Sequence, residues 1–139
     1  MKTLQDYKGF NREKSIEELQ YTMLNHIEKL QAVRVELQFL QFLTQSQIYI
    51  PNTMDLFERL EHFKKELDKH IHKSGKLIID ANFHVNQIAN KIECDELECD
   101  NYFINAHNEL EQYIHQFINQ TSKFKQEMFQ YLKSVIKTA

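Results

Sequence analysis

The sequence predicts an all-α fold, an antiparallel up-down-up bundle of three long, coiled-coil-like helices. Apolar residues recur every three or four positions along three stretches of similar length, the period of a helix with one buried face. Only two Gly and one Pro occur in 139 residues, which leaves almost no turn chemistry for β or α/β architectures. Hydrophobic residues make up 42% of the chain, enough for a single domain of this length to build a real core.

Residues 1–14 carry Tyr7, Gly9 and Phe10 without periodicity, so the expectation there is a flexible arm ahead of one bundle domain spanning 15–139. Helix 1 is predicted over 15–50. Ser15 followed by Glu18 has the spacing of a capping box, and the stripe Ile16, Leu19, Met23, Ile27, Leu30, Val33, Leu37, Leu40, Thr44, Ile48 follows it. Pro51 must end the helix, because its ring disfavours helical geometry at Ile50.

Helix 2 is predicted over 53–92, capped by Asn52 with Asp55 near the positive end of the dipole. Its stripe of Leu60, Phe63, Leu67, Ile71, Ile78, Ala81, Val85, Ile88 and Ile92 organises the chain, since it has a partner stretch on either side. Ser74-Gly75 is the weak point, as Gly costs about 1 kcal/mol inside a helix. Helical phase persists from Ile71 to Ile78 across it, and an unbroken helix matches its neighbours in length, so continuity is expected. The second turn falls in the acidic run 93–100, where either Asp95 or Asp100 can cap helix 3, predicted over 97–137. Phe103, His107, Leu110, Ile114, Phe117, Thr121, Phe124, Met128, Tyr131 and Val135 alternate by four and three, the spacing of knobs-into-holes packing.

Composition narrows function more by exclusion than by assignment. Seventeen Lys and Arg against twenty Asp and Glu give a net charge of -3, with no general pull toward nucleic acid or anionic membrane. Lys64, Lys65, Lys69, Lys73 and Lys76 are interleaved with Glu61, Glu66 and Asp68, as on an ordinary solvated face. No apolar run reaches the ~20 residues that span a bilayer, and the first ten residues lack a signal-peptide pattern, so a cytoplasmic protein is expected. Cys94 and Cys99 are too few and wrongly spaced for a disulfide scaffold or a zinc knuckle. A Gly-rich phosphate loop, a nucleophile elbow and HExxH are all missing, so no enzyme activity is expected.

Two constellations remain. His62, Glu66 and His70 are spaced i, i+4, i+8, as are His107, Glu111 and His115, while Asp80 and His84 form a further i, i+4 pair. Side chains at i and i+4 share a helix face and can chelate one metal. With helices 2 and 3 antiparallel about residue 96, facing residue numbers total about 192, which brings Asp80, His84, His107 and Glu111 into one layer. That set is a candidate zinc or iron site. Against it, amphipathic helices place polar residues at i+4 by default, Asp80 falls off the stripe, and the 80° arc of each triplet turns His62 and His115 outward. Four-helix di-iron bundles draw ligands from every helix, whereas helix 1 here offers only His26, with no carboxylate at i+3 or i+4. Solvated or hydrogen-bonded histidines and no cofactor are the preferred expectation.

The other constellation is aromatic. Helix 1 at Leu37, Phe39, Leu40, Phe42 and Leu43 is apolar around more than half its circumference, and levelling puts Phe57, Phe63, Phe124, Phe129 and Tyr131 at the same end. The plainer expectation is a thick core that takes up these rings; the functional one leaves Val35, Phe39, Phe42 and Phe129 as a candidate interface for a protein partner or a second copy, and burial decides between them. The function expected from the sequence is therefore a non-enzymatic interaction or assembly module, with a metal-binding bundle as the alternative.

Overall fold

The computed structural model describes residues 15–91 and 97–138, with side chains described for 15–89 and 101–138. Three helices account for nearly all of it: α1 (Ile16–Thr44), α2 (Leu56–Lys91) and α3 (Leu97–Val135). The expected arm at 1–14 and the side chains of Cys94 and Cys99 lie outside the described residues. Among those described, no helix is long and apolar enough to cross a membrane.

α1 begins where the capping residues place it. Ser15 is extended (φ -69°, ψ 160°), and its Oγ accepts from the Glu18 N–H at 3.1 Å, satisfying one of the donors a helix start leaves open. Its end differs from the expected 50: the helix stops at Thr44. Local hydroxyls take the last carbonyls, with Thr44 Oγ1 donating to Gln41 O at 2.7 Å and Ser46 Oγ to Phe42 O at 3.1 Å. Tyr49 OH donates to Leu43 O in the same way. Residues 48–50 then run extended beside the end of α3, where Ile50 N donates to Val135 O and Lys137 N to Ile48 O, both at 2.8 Å. Two ladder bonds to α3's last turn, together with the extended geometry that Pro51 imposes on Ile50, outweigh two more turns of helix.

The start of α2 is corrected as well. Asn52 and Asp55 both adopt left-handed backbone (φ 63° and 57°), a region these two residue types tolerate better than most, and the first helical residue is Leu56. Asn52 therefore sits inside an irregular turn rather than at the cap, and the Asp55 carbonyl accepts the Arg59 N–H at 3.0 Å. The three helices hold 29, 36 and 39 residues rather than forming equal rods. α3 begins at Leu97, ahead of Asp100, which removes Asp100 as its cap. Asp95 lies outside the described residues.

α2 passes through Ser74-Gly75 unbroken. Ser74 is buried with its Oγ on Ile71 O at 2.6 Å, and Gly75 leaves room for a side chain from α1: a Cβ there would stand 3.2 Å from Arg34 Nη1. The antiparallel arrangement of α1 and α2 shows in facing pairs whose numbers total 109, Arg34 with Gly75 and Gln41 with Asp68. Between α2 and α3 the total is 191 at both His84–His107 and His70–Thr121. α1 and α3 run parallel, as His26–Glu111 and Glu36–Lys125 advance together.

The core is continuous along the bundle, from Met23, Ile27 and Leu30 through Leu37, Leu67 and Phe117 to Met128, Leu132 and Val135. At the α1 C-terminal end Phe63 packs on Phe124 (centroids 6.1 Å) and Tyr131 (5.5 Å). The Arg59 guanidinium lies 4.7 Å over the Tyr131 ring, a cation–π contact that covers this end of the core.

Candidate functional site

Two features of the bundle depart from a plain apolar core under a polar surface. One is a polar layer within the core. His26, His84, His107, Asn108 and Glu111 are all buried, contributed by all three helices. His26 Nε2 lies 2.9 Å from Glu111 Oε2, His107 Nε2 lies 3.3 Å from the same oxygen, and His84 Nε2 lies 3.3 Å from His107 Nδ1. A connected chain runs from α2 through α3 to α1, with the Glu111 carboxyl between His107 and His26. One proton arrangement serves all of it, each imidazole turning an N–H toward the carboxylate and His107 Nδ1 accepting from His84. The His107–Glu111 contact is short but off-line for a hydrogen bond, so it acts through charge and dipole.

Burial, and secondarily the neighbouring His107, push the His84 pKa down to about 4. His84 is therefore neutral at pH 7, as a buried imidazole without a carboxylate beside it must be.

His115 completes the layer. Its ring meets that of His26 edge-on, centroids 5.3 Å apart, and ligand atoms of His26, Glu111 and His115 all lie within 4.8 Å of one another. These three form the only metal-capable group of His, Cys, Asp and Glu among the described residues.

Spacing and level-matching point to Asp80, His84, His107 and Glu111 as one layer. The structure brings the last three into one chain but leaves Asp80 exposed. Leu77, Ala81, His84 and Ile88 point inward, and Asp80, one residue before Ala81, is turned about 100° away. His115 is half-buried rather than outward, because α3 has a neighbour on two sides and an arc that leaves α2 meets α1. From sequence His26 has no carboxylate at i+3 or i+4 on its own helix to chelate with. It needs none, since Glu111 and His115 already supply the i, i+4 pair from α3. The remaining histidines take other roles: His62 and His72 are exposed, while His70 bonds Thr121 Oγ1 at 2.7 Å and stacks on Phe124 at 4.8 Å. Burial lowers the His70 pKa.

The second feature is an apolar face at the opposite end of α1. Val35, Phe39, Phe42 and Phe129 are 65%, 58%, 66% and 48% exposed. Phe39 and Phe42 stack on each other (centroids 6.4 Å, planes 28° apart), making a ridge. Beside the ridge lies a groove of about 390 Å³ whose apolar walls are Phe39, Leu40, Leu43, Phe129, Leu132 and Ile136. Glu36 and Lys133 stand at its rim.

Comparisons with known protein families, with curated proteins and with solved structures found no match for this chain.

Proposed function

We propose that the chain is a non-enzymatic assembly module that works through the Val35, Phe39, Phe42 and Phe129 face, and that the partner seated there is a second copy. The observation that carries this reading is the exposure of those four residues, two of which, Phe39 and Phe129, line an apolar groove. Burying a Phe side chain is worth about 1.5–3 kcal/mol relative to leaving it in water, so a ridge of this kind is costly to a lone molecule.

Shape and charge favour a second copy. Val35, Phe39 and Phe42 are spaced four and three apart, the seam along which one helix receives another. The face holds both a ridge and a groove, and its rim holds Lys133 and Glu36, the latter half-exposed while paired with Lys125 of its own chain at 2.6 Å. A two-fold axis through such a face seats each ridge in the other groove and sets Glu36 of each copy against Lys133 of its mate.

Charge reversal tests the pairing. Glu36→Lys or Lys133→Glu alone is expected to weaken self-association by about tenfold, and the combined variant to restore it. Self-association unchanged by either single reversal contradicts the arrangement.

A further inference from the structure

We propose that His26, Glu111 and His115 form a three-ligand site for a divalent transition metal, zinc foremost, inside the bundle, with His107 orienting the carboxylate from outside the ligand set. The inference is independent of self-association, because the polar layer and the apolar groove share no residue.

The donor set decides the class of metal. Two imidazole nitrogens and one carboxylate oxygen suit zinc or ferrous iron, whereas calcium and magnesium seek all-oxygen surroundings. Zinc bonds of 2.0–2.1 Å in tetrahedral geometry place neighbouring donor atoms about 3.4 Å apart. The donors here lie 2.9 Å apart for the His26–Glu111 pair and within 4.8 Å for the whole set, values that bracket the requirement and leave side-chain rotation to meet it. Three helices each fix part of the geometry: α1 supplies His26, α3 supplies Glu111 and His115 one turn apart, and α2 supplies His84 behind His107.

Energetics argue for an occupant. Polar groups at one level of a core are costly unless each finds a partner. His26 is 6% exposed, with Nε2 2.9 Å from the Glu111 carboxyl, and His115 brings a third ligand atom to the same spot. A cation there is met by all three donors at once, and the Glu111 carboxylate offsets part of its charge. His107 Nε2, 3.3 Å from the same carboxylate oxygen, then bears on the ligating group through its dipole rather than through a formed hydrogen bond. Three protein ligands leave a fourth position, and His115, half-buried, borders the side from which water or a small ligand reaches it.

The test uses full-length, tag-free protein. Elemental analysis after purification without chelator is expected to find one zinc or iron per chain. Protein stripped of metal should gain thermal stability from zinc but not from magnesium, and should bind cobalt(II) with the visible absorption of tetrahedral coordination. Glu111→Gln, which keeps shape, and His115→Gln, which alters a half-exposed position, should each abolish zinc binding at micromolar metal. His107→Gln should weaken it by about 10–100-fold, and Asp80→Asn should leave it unchanged. Should Glu111→Gln fail to fold, His115→Gln alone decides. Native protein without metal and without a zinc-induced shift, or zinc binding that survives His115→Gln, overturns the site.

Discussion

His26 Nε2 and Glu111 Oε2 meet at 2.9 Å between α1 and α3, both side chains almost wholly removed from solvent. With His26 gone the buried Glu111 carboxyl loses its shortest polar contact, so His26→Leu should destabilise the bundle by about 1–3 kcal/mol. Removing Glu111 as well relieves that cost. A double-mutant cycle with Glu111→Leu, read by urea denaturation, should show the pair coupled by about 1 kcal/mol or more. Additive single effects would contradict an energetic link between the two residues.

His84 makes stability depend on pH with a defined sign. Its folded pKa of about 4 lies below the ordinary value near 6.5, so between these limits the unfolded chain binds a proton that the folded chain refuses. The contribution is fully present above about pH 6.5 and is lost as pH falls toward 4, by up to roughly 3 kcal/mol. Other groups titrate in the same window, so the diagnostic quantity is the difference between variants. His84→Gln should flatten the fall of the melting temperature between pH 6.5 and 4 relative to the parent chain; parallel curves would contradict it.

Gly75 offers a gain. Ala is favoured over Gly inside a helix by about 1 kcal/mol, and the atom that a new methyl approaches, at 3.2 Å, is the far end of the Arg34 side chain. That guanidinium lies in an open groove with His72, Lys76 and Ile79, so it has somewhere to go. Gly75→Ala should stabilise the protein by about 0.5–1 kcal/mol and raise the melting temperature by roughly 2–4 °C. A loss of stability would mean that the guanidinium is held where it lies.

Much of the bundle was legible because helical periodicity is a repeated signal. The inward phase of Leu67, Ile71, Ile78 and Ala81 carried α2 across Gly75, and level-matching near 192 anticipated the observed 191 for His84 opposite His107. The end of α1 was not legible, since the stripe through Thr44 and Ile48 stays in phase. What ends the helix is non-local, the bonding of residues 48–50 to the last turn of α3. His26 was missed for a related reason. Polar pairs on one helix can be read from spacing, but a side chain delivered by a parallel neighbour 85 positions away leaves no pattern along the chain. The wide apolar girth of α1 was legible, but whether a thick core covers it depends on where the neighbouring helices sit, which spacing along one helix does not encode. Val35, Phe39 and Phe42 are the residues left over.

The measurement that bears most directly on the assembly reading is the molar mass of the native chain by light scattering behind a sizing column at micromolar concentration. A particle of twice the 16.8 kDa chain mass is expected, falling to one chain for Phe39→Glu and for Phe42→Glu while helical content by circular dichroism stays constant. A native monomer across the micromolar range, or a dimer indifferent to both substitutions, would contradict it.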